Sequence, residues 1–521
     1  MSIDSTVTRR MTMANDVSQE KKFVPSVLPW VLAGAALLVY LVSLNRWMRL
    51  GSVGNVAMVS GWIWQPELSR PLYWLVTAPL RLLPASLIPV ALNFFSALCA
   101  AATLGLLARS VALLPQDRTE DQRLREKSAF SLLSIRHAWL PPVLAVLICG
   151  LQLTFWENAT AASSDILDLL LFAYVVRCIL EFRLYGADSW LLRACLVYGA
   201  AMTNNWAMIA LLPVFLVALA WAKGLGFFNL RFLFQALALG SLGLCFYVLL
   251  PVAALASTGG QLGFWEALKS HLVEQKYYLG AIFNKGVLFM GDRPWWVLAL
   301  PSLLPVLAIS FRWPSYFGDP SKLGVALATF AFHFLHAALL AVCLWVSLDP
   351  IFSPRNYAGL QALPLYYLGA LSVGYLAGYF LLIFGGAKPM LRSRPLPGYP
   401  AALNALVTLA VWVLLLLLPG ALLYRNLPQI RFTNGQALRQ YVQLTAQDIP
   451  AANSVVLSDD PLRLMLLRSL WTQRHERQPA LLLETRSLAM PFYHQFLAKQ
   501  FPNRLKAQAD RKVPYDDAQI L

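Results

Sequence analysis

The residues in this chain able to do chemistry are polar groups stranded at the ends of apolar runs. The segment LQLTFWENATAASSDILDLLL places Trp156, Glu157 and Asn158 ahead of Ser163, Ser164, Asp165 and Asp168. A Ser-Ser-Asp start caps a helix, and capping alone would account for Ser164 and Asp165. Asp168 lies one turn deeper, where a carboxylate needs a partner or a water-filled cavity. Asn204 and Asn205 interrupt two further apolar runs, either as a tight turn or as amides lining a polar cleft. Asp349, Arg355, Asn356 and Tyr357 mark another helix boundary. An arginine there can hold a phosphate through paired hydrogen bonds, or pair with Asp349 or a lipid headgroup. His333 and His336 share one face of an apolar helix with no neighbouring carboxylate, a weak metal pattern, and His271 reads as an interfacial side chain.

These groups must be held by membrane helices. The 521 residues are 58% hydrophobic and only 13% charged, against about a quarter charged in soluble domains. Many apolar runs exceed about 18 residues, enough to cross a ~30 Å hydrocarbon core. The sequence therefore predicts an all-α polytopic membrane protein. Spans are expected near 27–44, 85–107, 138–155, 164–182, 189–204, 206–222, 231–256, 294–311, 323–348, 358–384 and 402–423, about eleven in all. The net charge of +16 is spread over the connecting loops, so it reads as a topology signal and not as a nucleic-acid surface. Loops on one side carry about twice as many Lys and Arg as those on the other, which favours a cytoplasmic N-terminus and an outward C-terminus. The six cysteines fall in predicted spans, so neither a disulfide framework nor a zinc site is suggested.

Residues 1–26 form a polar tail without a small-residue cleavage motif, and 27–423 the membrane domain. The longest outward loop near the N-terminus, 46–84, mixes Trp47, Met48, Met58, Trp62, Trp64, Tyr73 and Trp74 with Arg49, Glu67, Arg70 and Arg81. That mixture predicts a segment lying along the membrane surface, as a plain anchor or as the floor of a reaction site. A second outward loop, 257–293, carries an amphipathic pattern around Trp265, Leu268 and Leu272. Residues 424–521 change to alternating helix and strand patterns, which predicts a soluble α/β domain with a small parallel sheet; the sequence reads as stopping inside a longer domain. Walker, GxGxxG, HExxH and nucleophile-elbow motifs are absent, which argues against ATPase, dehydrogenase, zinc protease and hydrolase classes. No inverted pair of broken helices points to a transporter, so lipid or solute transport rests only on the generic membrane pattern.

Several segments, in order, resemble the membrane glycosyltransferases of the GT-C fold, in a bacterial branch related to protein O-mannosyltransferases. They are GSVGN at Gly51–Asn55, RPLYWL at Arg70–Leu75, LNFFSALCAA at Leu92–Ala101, FWENATAASSD at Phe155–Asp165, and TNN at Thr203–Asn205. The resemblance implies a GT-C-like membrane domain that transfers a sugar, such as a mannose-like hexose, from a polyprenyl-phosphate carrier to a protein or glycan acceptor on the outer face. In such enzymes an acid in the first outer loop serves as general base or holds the acceptor hydroxyl. The expected acidic positions here read Ser52, Asn55 and Ser163, and the expected histidine reads Asn205. The catalytic candidates are therefore Glu67, then Asp165 or Glu157. Arg355, Asn356, Asn204, Asn205, Trp156, Arg70 and Tyr73 are the candidates for substrate binding. No cofactor is implied beyond the lipid-linked sugar donor, and a divalent metal is neither required nor excluded. The resemblance fits a multi-pass protein of a cell inner membrane with its C-terminal domain in the periplasm. A catalytically degenerate member that binds lipid-linked sugar or scaffolds an envelope assembly fits the neutral positions equally well.

Overall fold

A computed structural model describes residues 23–64, 70–114, 137–258, 263–284, 302–310, 321–350, 353, 355, 363–384, 401–450, 454–474 and 480–501. Helix dominates the described residues. In chain order the helices are α1 Leu28–Val42, α2 Val53–Val59, α3 Pro71–Thr77, α4 Ile88–Leu113, α5 Leu140–Leu151, α6 Leu153–Ala159, α7 Asp165–Tyr185 and α8 Asp188–Asn204. They continue as α9 Trp206–Ala210, α10 Leu212–Lys223, α11 Leu230–Leu244, α12 Leu249–Thr258, α13 Phe264–Asn284, α14 Leu303–Ser310, α15 Lys322–Ser347, α16 Leu363–Phe384 and α17 Ala401–Thr433.

Each apolar stretch expected to span contains helix, and the amphipathic pattern of the second outward loop forms α13. Among the described residues five helices are long and apolar enough to cross a membrane, or six if the bent pair α5 and α6 is one span. The rest fall short for definite reasons. Helix α1 has 15 residues, about 22 Å at 1.5 Å per residue, less than a hydrocarbon core. Helix α7 carries Asp165, Asp168, Arg177, Glu181 and Arg183, so apolarity alone does not mark it. Helix α4 is apolar on all sides and packs against α1, α5 and α7, which is how a helix without a polar face is satisfied. Helices α8 and α11 approach through glycines: a Cβ on Gly199 would sit 2.2 Å from the Gly240 carbonyl oxygen. Small residues at such crossings let backbones come close.

Helix α17 runs 33 residues, about 50 Å, well beyond the ~30 Å core. It continues past Leu423, where composition placed the end of the membrane domain, and leads into α18 Ala437–Gln447. The chain then forms β1 Ser454–Ser458, α19 Pro461–Gln473, β2 Ala480–Glu484 and α20 Pro491–Gln500. The strands pair in parallel, with Ser454 opposite Ala480 and Ser458 opposite Glu484. The small parallel sheet expected from sequence is thus present, joined by a helical crossover.

The first outward loop departs from the surface-lying segment that its composition suggested. Trp47, Met48, Val53, Val56, Met58, Trp62 and Tyr73 are buried in protein. Helix α2 packs against α4 on one side and α19 on the other, and the Trp47 indole donates to Ser469 Oγ at 3.0 Å. Trp47, Trp62 and Trp64 meet Ser469, Arg468 and Tyr493 of the α/β unit, whereas Tyr73 packs on Phe95 of α4.

Candidate functional site

The polar groups gather at the end of the bundle where α1 ends and α7 begins. The break between α5 and α6 builds the first cluster. Gln152 is extended and caps α6, its side-chain oxygen accepting from Phe155 N at 2.9 Å. The pair is bent by 73° at this point. The Gln152 amide donates to Asp349 Oδ2 at 2.6 Å, and the Tyr366 hydroxyl donates to Asp349 Oδ1 at 2.6 Å. Asp349 takes a left-handed backbone (φ 47°), a conformation that Asp tolerates better than most residues. Burial raises its pKa, opposed by the Tyr366 hydrogen bond and by Arg355.

Glu157, one turn into α6, sits beside two arginines. Arg355 Nη1 is 2.7 Å from Glu157 Oε2 and 3.3 Å from Thr154 Oγ1. Arg49 donates to the Glu157 carbonyl (2.8 Å), to Thr160 Oγ1 (3.1 Å) and to Asn434 Oδ1 (2.7 Å). A cation at the C-terminal end of α6 suits the exposed carbonyls there. Burial lowers the Arg49 pKa to about 10, partly restored by Glu157 and further lowered by Arg355. Asn434, at the far end of α17, also donates to Ser43 O at 2.6 Å. The first loop, the end of α6 and the end of α17 are thereby tied together, with two cations around one carboxylate.

The second cluster lies where α7 starts. Arg70 Nη2 and Asp165 Oδ1 are 3.5 Å apart, with 38% and 29% of their side chains exposed. Asp168 is buried and accepts from both amides of the broken α8–α9 junction: the Asn204 amide on one oxygen, and the Asn205 amide on the other at 2.9 Å. Asn204 Oδ1 in turn accepts from Tyr73 N at 3.0 Å. Asn204 and Asn205 are thus both a break between helices and a polar lining, and the partner that Asp168 needed is this pair.

The structure divides the expected site residues. Glu157 with Arg355 forms one pair, and Arg70 with Asp165 another; Asn204 and Asn205 donate to Asp168, and the Tyr73 backbone donates to Asn204. Trp156, a candidate for substrate binding, is 1% exposed, with its indole donating to Ser43 Oγ at 2.8 Å. Glu67 and Asn356 lie outside the described residues. His333 contacts Tyr379, and His336 Nδ1 lies 2.9 Å from Phe332 O. Among the described residues no group of three or more His, Cys, Asp or Glu could hold a metal ion. Arg49 stands in the sequence only as one arginine of the loop mixture, and Gln152 and Asn434 are further members of the site. A glutamine inside a span was the available signal for Gln152, and nothing local marked Asn434.

A cavity of about 610 Å³ opens between the first outward loop, α13 and the α/β unit. Trp62, Trp64, Tyr493 and Phe496 supply rings, and Arg468, Glu484 and His271 supply charge or polarity. The Arg468 guanidinium lies 5.6 Å from the Trp62 ring centroid, Nη1 donates to Gln500 at 3.1 Å, and its buried Nε has no partner. Burial lowers the Arg468 pKa to about 10. Trp64 and Arg70 are six residues apart, so their Cα atoms are at most about 22 Å apart.

Residues 69–224 match the family described as protein O-mannosyl-transferase TMEM260 N-terminal domain. The match covers under a third of the chain, and begins after GSVGN and Glu67. It takes in Arg70, Tyr73, Glu157, Asp165, Asp168, Asn204 and Asn205. No curated protein sequence matches the chain. The chain is thus similar, over the segment that carries the Asp165–Asp168 cluster and Glu157, to an O-mannosyltransferase domain, and this similarity suggests a glycosyltransferase-like function.

Proposed function

We propose that the chain is a membrane glycosyltransferase of GT-C type that moves a hexose from a polyprenyl-phosphate carrier to a protein or glycan acceptor on the outer face of a cell inner membrane. The N-terminus is cytoplasmic and the α/β unit periplasmic in this reading. One observation supports it: the O-mannosyltransferase similarity takes in the whole Asp165–Asp168 cluster and Glu157 of the other.

The two clusters take different roles. Glu157 is enclosed, 13% exposed, and fixed by Arg355 at 2.7 Å. Arg355 on the carboxylate and Arg49 on the backbone carbonyl of the same residue set two cations against one acid, and the excess positive charge suits the carrier phosphate. Asp165 is more open and only loosely paired with Arg70, which suits a carboxylate that takes a proton from an acceptor hydroxyl. Glu67, three residues before Arg70 in the same loop, is the competing base. The cavity beside Trp62 and Trp64 is where the acceptor approaches, with Arg468 in its wall.

The test is a carboxylate series assayed with radiolabelled polyprenyl-phosphate sugar in proteoliposomes. Asp165→Asn should cut transfer by about 10²–10⁴, the usual worth of a general base. Full transfer after Asp165→Asn, with loss after Glu67→Gln, moves the role to Glu67. Retention by all of Glu67→Gln, Asp165→Asn and Glu157→Gln refutes the acid assignment.

A second reading is favoured by the neutral positions. Ser52 Oγ accepts from Arg49 N at 2.9 Å, Asn55 donates to Ala162 O at 3.0 Å, and Ser163 Oγ donates to Asn158 Oδ1 at 2.6 Å. Each is employed in holding the loop, as befits a member that binds lipid-linked sugar or scaffolds an assembly without turnover. Carrier binding by the unaltered protein without transfer to any acceptor identifies that case.

A further inference from the structure

The opposite end of the bundle carries a second polar device that sugar transfer does not use. Arg109 on α4 and Arg177 on α7 both reach Glu181, which is 1% exposed: Arg109 through Nε at 2.9 Å and Nη2 at 3.2 Å, Arg177 through Nε at 3.2 Å. Arg109 Nη1 also donates to Pro25 O. Two guanidiniums on one carboxylate leave a net charge of about +1 at the group, and among the described residues the Nη nitrogens of Arg177 make no hydrogen bond. The same guanidinium lies 5.7 Å from the Trp190 ring centroid. A cavity of about 320 Å³ opens over both arginines, walled by Pro29, Trp30 and Gly105 at the α1–α4 crossing. Trp30 is 79% exposed, as an interfacial tryptophan would be.

We propose that this cavity binds the phosphate of an anionic phospholipid in the leaflet opposite the sugar-transfer site. The inference rests on the bundle spanning a membrane, but not on its being an enzyme. Basic pockets between membrane helices on the cytoplasmic side recur as sites for anionic headgroups. The free Nη donors of Arg177 meet the phosphate oxygens, Glu181 fixes both arginines in place, and Trp30 lies against the glycerol and upper acyl chain. A zwitterionic lipid brings the same phosphate with its own cation, which the excess positive charge disfavours.

The experiment is native mass spectrometry of the full chain titrated with an anionic phospholipid, with a zwitterionic lipid of the same acyl chains, and with inorganic phosphate. The anionic lipid should bind preferentially. Arg177→Gln, which leaves the Arg109–Glu181 pair intact, should weaken it about fivefold, while Arg177→Lys retains most of it. Trp30→Ala should weaken the lipid but not inorganic phosphate. Equal binding of both lipids, or no effect of Arg177→Gln in a protein that still melts like the parent, overturns the proposal. Inorganic phosphate binding as tightly as the anionic lipid overturns the lipid as its source.

Discussion

Replacing Asn204 with Ala tests whether the Asp168 cluster holds its end of the bundle together. Asn204 spends both ends of its side chain: the amide on the buried Asp168 carboxylate, the oxygen on the Tyr73 backbone N–H. The hydrogen bond to a charged group is worth about 1.5–3 kcal/mol, and a buried N–H left without an acceptor costs a further 1–3 kcal/mol or so. Asn205 still holds the other carboxylate oxygen, so the carboxylate is not fully orphaned. The expected loss is therefore about 3–5 kcal/mol, large for any single substitution. Unfolding in detergent, followed by fluorescence against denaturant, gives the magnitude. A double-mutant cycle with Asp168→Ala separates the two contributions, since the charge-assisted part should vanish in that background and leave about 1–3 kcal/mol for Tyr73 N. A change within about 1 kcal/mol of the parent, or equal costs in both backgrounds, refutes the reasoning.

Two further outcomes follow from packing and charge. Gly199→Ala should lower thermal stability in detergent, because the new Cβ meets the Gly240 carbonyl at 2.2 Å, whereas Gly240→Ala, whose nearest neighbour is 3.9 Å away, should be tolerated; similar melting of the two variants would contradict the α8–α11 crossing. Burial raises the Asp349 pKa, so the folded chain holds that proton more tightly than the unfolded chain, whose value is about 3.9. Its contribution to stability is full below about pH 4 and is lost as pH rises through the folded value. Asp349→Asn, neutral at every pH, should flatten the fall in melting temperature as pH rises above about 4, and an unchanged slope would exclude Asp349 as its source.

Local patterns were enough to read the helices and the strand–helix–strand tail, because apolar runs and alternation are local signals. The need of Asp168 for a partner was also visible from one residue's cost of burial. What could not be read was which distant group would meet which. The cap at Gln152 closes on Asp349, 197 residues later. The first outward loop looked interfacial because its aromatic residues carry no mark of what covers them. The covering helix α19, bonded through Ser469 to Trp47, lies 422 residues on. Arg49 shows the same limit, since one of its donors is taken by Asn434 at the end of α17.

The central claim is that the polar end of this bundle transfers a sugar, and the most direct measurement is turnover by the unaltered protein. Purified chain in proteoliposomes, given radiolabelled polyprenyl-phosphate hexose with membrane-protein and glycan acceptors, should release the carrier phosphate and label an acceptor in equal amounts. Saturable binding of the carrier with neither release nor labelled acceptor would contradict transfer and leave a binding protein on a glycosyltransferase-like scaffold.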